Sequence, residues 1–365
     1  MQLIPISKPS ITPKEIAYVT DAVQSGWVSS LGKYINLFEK QFAHYCNTQY
    51  ALTTTSGTTA LHLALISLGI KAGDEVIIPD FTFVATANAV KYTGATVVTV
   101  DIEADTLCID PKAIEAAITP KTKAIIPVHV YGHPANMPAI NNIALKHDLF
   151  VIEDAAEAHG AMINGKKVGT FGDCAIFSFY GNKIITTGEG GMITTNNQAL
   201  YERMHYLRDH AMTQDKRYFH TEVGFNYRMT NLQAALGLAQ LERIDEIISN
   251  KAQIFTWYQQ ELGNIAQLQL NRTANWAKNV YWMVCLEIAG CSEVDRNQLM
   301  IKLKEHGIDT RPYFYPISDM PMYQHTNTPV THDIYQCGIN LPSYFDLTQR
   351  KIELISQTLV KIVFD

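Results

Sequence analysis

A lysine stands in the middle of the most suggestive stretch of this sequence, "FSFYGNKIITTGEGGM" at residues 177–192. A strand-like run delivers Ser178, a short "YGN" connection leads to Lys183, and a flexible cluster of glycines follows. Most lysines are solvated surface groups. A lysine that is partly desolvated at the ligand-binding edge of a sheet has a lowered pKa and becomes an amine nucleophile. The setting of Lys183 favours a lysine that bonds covalently to a bound cofactor.

A second stretch, "TTTSGTTALHLAL" at residues 53–65, runs from a strand directly into a helix. Gly57 permits close approach of the backbone, and the amides of Thr58 and Thr59 would point outward at the helix N-terminus. Such an end binds phosphate, because its first backbone N–H groups have no partner within the helix. An ordinary N-cap, with Ser56 accepting a backbone hydrogen bond, explains the same residues. Phosphate binding is therefore one of two interpretations.

A third stretch, "FVIEDAAEAHG" at residues 150–160, ends a buried strand with acids. Asp154 at this strand end could bind a metal or a ribose, cap a turn, or keep a heteroaromatic nitrogen protonated. Glu157 and His159 follow and could add metal ligands, but no other tight cluster of carboxylates or histidines supports that interpretation. The sequence therefore predicts no metal site.

An aromatic side chain, Phe83, follows the strand-like run "EVIIP" in "PDFTFVAT". It either belongs to the core or stacks on a bound ring. Considered together, the three stretches supply a phosphate site, the Asp154 carboxylate and the Lys183 amine. Pyridoxal phosphate requires these three contacts, and the Ser178 hydroxyl could also reach its phosphate. The combination predicts this cofactor, although no single stretch does.

The elements that must position these groups alternate between short apolar runs and helix-length segments at residues 50–195. Strands that alternate with helices pair in parallel, and ligands bind beyond their carboxyl ends. From 231 onward the pattern is helical and then mixed, with a strand expected in "VYWMVCLEI" at residues 280–288. We expect a large α/β domain at residues 1–247 and a small α+β domain at residues 248–365. The predicted strands of the large domain are "YALTT", "EVIIP", "TVVTV", "KAIIPV", "FVIED", "CAIFSF" and "GMITT".

The composition disfavours several classes of protein. The 365 residues carry a net charge of −6 without any basic run, so nucleic-acid binding is not expected. No signal peptide is expected, because the first residues lack a cationic and an apolar region, and no membrane span is expected, because no run of about 18 apolar residues occurs. The six cysteines show no CxxC spacing, which favours reduced thiols and a cytoplasmic location. A dinucleotide site is disfavoured, because no G-x-G-x-x-G follows the first strand.

The chain resembles the sugar aminotransferases of the DegT/DnrJ/EryC1/StrS family over essentially its whole length. The motifs that carry the resemblance include "SGTTALHLAL", "VHVYGHPANM", "EDAAEAHGA", "FSFYGNKIITTGEGGM" and "NYRMTNLQAALGLAQLE". The later motifs "TRPYFYPISDMPMY" and "GINLPSY" are most similar to the GDP-perosamine synthase branch. The resemblance implies the type I, aspartate aminotransferase-like fold of pyridoxal phosphate-dependent transferases. In that fold, the large domain holds a mostly parallel seven-stranded sheet.

The resemblance also implies roles for particular residues. Lys183 would form the internal aldimine with pyridoxal 5'-phosphate and move the proton, and Asp154 would keep the pyridine nitrogen protonated. Glu157 stands where many family members have a glutamine that bonds to the ring hydroxyl, so it must be protonated or act differently. Asn226 matches an asparagine that reaches the phosphate of the neighbouring subunit, which implies a homodimer with shared active sites. The implied catalytic residues are Lys183 and Asp154, and the implied cofactor-binding residues are Gly57, Thr58, Phe83, Asp154, Glu157, His159, Ser178, Lys183 and Asn226.

The reaction implied by the resemblance moves the amino group of L-glutamate to a nucleotide-linked 4-keto-6-deoxy sugar, as in GDP-perosamine synthesis for surface polysaccharides such as the lipopolysaccharide O-antigen. A related transaminase acting on a UDP-linked 4-keto-hexose or an 8-oxo octulosonate is the alternative. Dehydratases of the family carry histidine at the position of Lys183, so the lysine favours transamination. A non-catalytic protein that kept the fold is disfavoured, because Lys183 and Asp154 are both present. Arg228 either binds an anionic group of the substrate or is structural.

Overall fold

The computed structural model describes residues 3–213 and 215–364 of the chain. Several helices begin where an N-cap residue precedes them, since Thr12, Ser56 and Ser292 each accept a hydrogen bond from a backbone amide of the first turn. None of the helices described is long and apolar enough to cross a membrane. The helices are α1 Pro13–Gln24, α2 Lys33–Cys46, α3 Gly57–Ser67, α4 Ala85–Tyr92, α5 Pro111–Ala117, α6 Met137–His147, α7 Gln198–Arg208, α8 Asn231–Leu241, α9 Ile244–Leu262, α10 Glu293–Glu305, α11 Pro329–Cys337 and α12 Gln349–Phe364.

The strands form three sheets. They are β1 Tyr50–Thr54, β2 Glu75–Pro79, β3 Thr96–Val100, β4 Thr122–Ile125, β5 Phe150–Asp154, β6 Met162–Ile163, β7 Lys166–Lys167, β8 Cys174–Ser178, β9 Gly191–Thr195, β10 Leu268–Leu270, β11 Ala277–Lys278, β12 Val284–Ile288, β13 Arg311–Pro312 and β14 Gly338–Leu341. The spatial orders are β1-β9-β8-β5-β4-β2-β3 in the large sheet, β10-β12-β14-β13 in a second sheet, and β11-β6-β7 in the smallest.

The large sheet is mostly parallel. Strand β9 runs antiparallel to both of its neighbours, β1 and β8, and the remaining pairs are parallel. All residues of β8 and β9 are buried, because helices cover both faces of the sheet. The seven strands coincide with the seven apolar runs predicted from the sequence, so the predicted fold class is confirmed.

Two apolar clusters fill the space between this sheet and its helices. Helix α3 is buried along most of its length, since it packs against α4 and α7 as well as against the sheet. Apolar side chains accordingly occur on all sides of this helix rather than on one face. Strands β1, β2, β5 and β8 all run in the same direction, so they end at the same edge of the sheet. Ligands bind at that edge in such folds.

The second sheet is antiparallel and has its own apolar cluster with α9, α10 and α12. The N-terminal segment joins this part of the molecule, because Ile4 pairs with Ile308. Helix α9 contributes Ile247 to the first cluster and Ile254 to this one, so it passes between the two parts. The division into domains at residues 247 and 248 falls within α9 and stays a prediction.

The strand expected at residues 280–288 is shorter than predicted, since β12 begins only at Val284. The side chain of Asn279 accepts a hydrogen bond from the Tyr281 amide at 2.8 Å, and Tyr281 has a φ of 48°. This left-handed conformation is incompatible with an extended strand. The kink instead places Trp282 beside the cavity described next.

Candidate active site

The carboxyl ends of β1, β2, β5 and β8 open into a cavity of about 460 Å³. A volume of this size suits a small organic cofactor together with part of a substrate. His159 and Asn226 lie outside its lining. The sequence-predicted residues that line the cavity are Gly57, Thr58, Phe83, Asp154, Glu157, Ser178 and Lys183.

The Lys183 amine lies between a carboxylate and an aromatic face. Its Nζ is 3.5 Å from Glu157 Oε1 and 3.7 Å from the centre of the Trp282 ring. Burial lowers the pKa of Lys183, and the carboxylates of Glu157 and Asp154 offset part of that shift. A lowered pKa leaves more of the amine neutral, so it can act as a nucleophile or as a base.

Asp154 ends β5 and is buried at the base of the cavity. Its Oδ2 accepts a hydrogen bond from Thr86 Oγ1 at 2.8 Å, and its Oδ1 accepts one from the Ala156 amide at 3.2 Å. Burial raises the pKa of Asp154, while the hydrogen bond from Thr86 acts in the opposite direction. A buried carboxylate held in this way can stabilise a positive charge on a bound heteroaromatic ring.

Glu157 is equally buried and links two parts of the site. Its Oε2 accepts a hydrogen bond from the Tyr131 amide at 2.9 Å, and its Oε1 lies near the Lys183 amine. Tyr131 has a φ of 53°, a conformation that turns its amide toward the carboxylate at some cost in strain. Burial raises the pKa of Glu157, and the positive charge of Lys183 lowers it again.

His159 is buried and does not line the cavity. Its ring is fully buried between Phe177 and Phe179, with ring centres 5.3 and 5.7 Å away. Neither ring nitrogen has a hydrogen-bond partner among the residues that the structure describes. Burial lowers the pKa of His159 to about 3, so the imidazole is neutral.

The N-terminus of α3 forms the other end of the cavity. Ser56 caps the helix by accepting a hydrogen bond from the Thr59 amide at 3.2 Å. The capping interpretation is therefore correct, but it leaves the amides of Gly57 and Thr58 available. A Cβ at Gly57 would lie only 2.9 Å from the Cβ of Ser178, so no larger residue fits this wall.

Two aromatic residues that the sequence analysis did not assign to the site also line the cavity, Trp282 and Phe314. The Trp282 indole N–H donates a hydrogen bond to the backbone oxygen of Asn182 at 2.8 Å, directly before Lys183 in the chain. Phe314 lies at the mouth, with its ring centre 6.1 Å from that of the half-exposed Phe83. Both residues come from beyond the large sheet, Trp282 from the segment expected to be a strand and Phe314 from the motif "TRPYFYPISDMPMY".

Asn226 is exposed on the loop before α8. Arg228 donates a hydrogen bond to its side-chain oxygen at 3.2 Å and forms a 2.7 Å ion pair with Asp209. This pairing accounts for some of the polar residues of the loop. It uses only the side-chain oxygen of Asn226, so the side-chain NH₂ group can still donate a hydrogen bond.

The residues around the cavity fit pyridoxal phosphate. They offer an amine of lowered pKa, a buried carboxylate at a strand end and a helix N-terminus lined with hydroxyl groups. The tight approach of Gly57 to Ser178 leaves backbone amides, rather than a side chain, at the phosphate end.

The DegT/DnrJ/EryC1/StrS aminotransferase family model matches residues 9–360. The GDP-perosamine synthase of Caulobacter vibrioides is 45% identical over 99% of this chain and 98% of its own length. The GDP-perosamine synthase of Escherichia coli O157:H7 is also 45% identical, over 100% of both chains.

A solved structure of the Spr1654 protein from Streptococcus pneumoniae in its PLP form matches with a TM-score of 0.94. It is 28% identical to this chain, and the match covers 99% of this chain and 98% of the other. The family match over residues 9–360, the two relatives and the site geometry all indicate the same family. The chain therefore belongs to the DegT/DnrJ/EryC1/StrS aminotransferase family.

Proposed function

We propose that this protein is a pyridoxal phosphate-dependent aminotransferase that moves the amino group of L-glutamate to a GDP-linked 4-keto-6-deoxy sugar. The observation that carries the proposal is the 45% identity to GDP-perosamine synthases over the full length of both chains. This identity favours a GDP-linked sugar over the UDP-linked and octulosonate alternatives. The product would serve the synthesis of a surface polysaccharide.

Bound pyridoxal phosphate supplies the carbonyl group that takes up nitrogen and a ring that withdraws electrons from the reacting carbon. In this site Lys183 would hold the cofactor covalently, and the same Nζ would carry the proton to and from the reacting carbon. The Asp154 carboxylate would hold a proton on the ring nitrogen. The Gly57 and Thr58 amides and the Ser178 hydroxyl would bind the phosphate.

The surroundings of Lys183 support its function as a proton carrier. Glu157, at 3.5 Å, stabilises the ammonium form, whereas burial stabilises the neutral amine. These opposed effects keep the two forms closer in free energy than they are in water. The rings of Trp282 and Phe314 form an apolar part of the cavity wall, which would limit the access of water to the Lys183 amine.

We further propose that the enzyme is a cytoplasmic homodimer. Asn226 lies outside the cavity of its own chain, which supports the idea that it reaches the phosphate site of a second copy. Each active site would then contain residues of both subunits, and a monomer would lack the amide that Asn226 donates.

An absorbance spectrum of the purified protein tests the proposal most directly. With the cofactor joined to Lys183, we expect a band near about 415 nm that L-glutamate converts to one near about 330 nm. The Lys183→Ala variant should show no such conversion. A panel of GDP- and UDP-linked keto-sugars then identifies the acceptor through restoration of the first band. A wild-type protein that stays colourless with added cofactor would contradict the cofactor, and restoration by UDP-sugars alone would contradict the sugar.

A further inference from the structure

Away from the cavity, three side chains with metal-binding atoms converge beside α11. Asp319 ends the 3-10 turn Ile317–Asp319, His325 lies in the loop that follows, and His332 is in the first turn of α11. Their ligating atoms all lie within 4.8 Å of one another. We propose that Asp319, His325 and His332 form a binding site for a divalent transition metal ion of the zinc class.

The spacing of the ligating atoms suits a tetrahedral site. Asp319 Oδ1 lies 3.1 Å from His332 Nε2 and 3.7 Å from His325 Nδ1. A zinc ion binds nitrogen and oxygen at about 2.0–2.2 Å, which places neighbouring ligand atoms about 3.3–3.6 Å apart. The two separations lie on either side of that range. His325 has 74% of its side chain exposed, so it can rotate to complete the third contact.

His332 is held in the orientation that a metal ligand needs. Its Nδ1 is 2.8 Å from the backbone oxygen of Thr328 and 2.9 Å from the Thr328 hydroxyl. That hydroxyl donates to Asp80, so it accepts from the imidazole. Nδ1 therefore carries the proton, as it does in many metal-binding histidines whose second nitrogen is held by a backbone oxygen.

The position of this proton determines what the other ring nitrogen, Nε2, can bind. With Nδ1 as donor, a neutral His332 directs the Nε2 lone pair at the Asp319 carboxylate, 3.1 Å away. Two acceptors at that distance repel each other unless a proton or a metal ion lies between them. A proton satisfies one imidazole only. A metal ion would bond to the carboxylate and to both imidazoles, since His325 Nδ1 lies 3.7 Å from the same Asp319 oxygen.

The ligand set selects the class of ion. Imidazole nitrogen suits zinc and its neighbours in the first transition series, whereas magnesium and calcium require oxygen ligands. Asp319 and His332 are partly exposed, so an ion can enter and water can occupy the fourth position. The bound ion would join the turn Ile317–Asp319 to α11 and thereby fasten the segment that follows Phe314.

The site is tied to the large sheet by hydrogen bonds from its supporting residues. Asp80 directly follows β2 and accepts hydrogen bonds from the Ser318 amide and hydroxyl at 2.7 and 2.8 Å, as well as from Thr328. Ligand residue Asp319 is adjacent to Ser318, and His332 is oriented by Thr328. A bound metal ion would therefore add to the hydrogen bonds that already hold this segment to the large sheet.

Calorimetric titration of the full-length, cofactor-loaded enzyme with ZnCl₂, after removal of adventitious metal by a chelator, tests the site. We expect one zinc ion per chain with a dissociation constant of about 10 μM or below. His325→Ala and His332→Ala should each weaken binding by at least about 10-fold, whereas Thr328→Val should weaken it less, because the backbone oxygen of residue 328 still accepts a hydrogen bond from Nδ1. His306→Ala is the matched control, because His306 is exposed and bonds only within its own helix end.

His325→Ala keeps the test decisive if His332→Ala does not fold, since an exposed side chain contributes little to folding. Titration with Co²⁺ should give a visible absorption band in the wild-type protein and in His306→Ala, but not in His325→Ala. Absence of saturable binding would overturn the proposal, and so would binding that all the histidine variants retain equally. In either case a protonated His332 paired with Asp319 would be the correct description.

Discussion

At Lys183, burial favours the neutral amine, whereas the Glu157 carboxylate and the Trp282 ring both favour the ammonium ion. A cation over a desolvated aromatic ring gains about 2 kcal/mol. A carboxylate 3.5 Å away contributes about 4–5 kcal/mol at the effective dielectric constant that describes protein ion pairs. Glu157 is thus the stronger of the two neighbours, and its replacement is the more informative change.

Glu157→Gln should lower the pKa of Lys183. The amide oxygen can still accept the hydrogen bond from the Tyr131 amide, but the negative charge that stabilises the ammonium ion is lost. The lowering follows from the loss of an opposite charge 3.5 Å from the amine, which leaves burial as the dominant effect on this pKa. Competitive acetylation of the cofactor-free protein over a series of pH values, read by peptide mass spectrometry, measures this pKa.

Glu189→Gln is the control for that experiment. Glu189 also lines the cavity, but it is exposed and forms no ion pair with Lys183 among the residues described. Its replacement should leave the acetylation profile of Lys183 unchanged. An unchanged profile in Glu157→Gln as well would mean that Glu157 is protonated beside the neutral amine.

At the scale of the elements, the start of α3 is shaped by its distance from β8. Gly57→Ala would place a Cβ 2.9 Å from the Ser178 Cβ and push the helix end away from the strand. The affinity for pyridoxal phosphate should fall at least about 10-fold, because all the amides that bind its phosphate would be displaced with the helix end. Equilibrium dialysis against the cofactor measures the loss. Gly181→Ala, where an added Cβ meets open space, should bind normally; equal losses in both variants would disprove the explanation.

A second element-scale feature is Lys251, which fastens α9 to the second sheet. Its Nζ donates to the backbone oxygen of Trp282 at 3.0 Å and to both the backbone and side-chain oxygens of Ser343. Burial lowers the pKa of Lys251 to about 7. Through Trp282, this buried amine supports the wall against which Lys183 packs.

This shift makes the stability of the protein depend on pH. Between pH 7 and about 10.5 the unfolded chain binds a proton that the folded chain has released, so stability rises with pH across that window. The increase from Lys251 is at most about 1.4 kcal/mol per pH unit. The unfolding free energy of the wild type relative to Lys251→Met should therefore increase by about 2–3 kcal/mol between pH 7 and 9 in urea denaturation.

Lys8→Met provides the comparison, because Lys8 is exposed with 59% of its side chain accessible. Its stability should follow that of the wild type at each pH. Parallel profiles for the wild type and Lys251→Met would show that Lys251 keeps an ordinary pKa in the folded protein.

At the scale of the whole molecule, the large sheet could be predicted because a strand buried on both faces requires a continuous apolar run. The place of Lys183 and Asp154 at one cavity followed, since parallel strands end at the same edge. Trp282 could not be assigned to the cavity from the sequence, because the apolar run at residues 280–288 predicts a strand, whereas a hydrogen bond from the Tyr281 amide to the Asn279 side chain kinks it. The burial of Lys251 could not be predicted either, since burial of a lysine depends on packing between distant segments.

The shared active site is a whole-molecule property that mixed dimers can test. Asn226→Asp keeps the size of the side chain and its pairing with Arg228, but it would repel a phosphate, so that variant and Lys183→Ala should each be nearly inactive. If Asn226 serves the partner's site, a dimer of one Lys183→Ala chain and one Asn226→Asp chain contains one intact site. Such dimers, coexpressed with two tags and purified through both, should show about half of the wild-type rate.

Dimers of Lys183→Ala with Asp154→Asn should stay inactive, because both changes act within their own chain. An inactive first pair would place Asn226 in its own subunit's site, and full activity of Asn226→Asp alone would remove it from the site altogether.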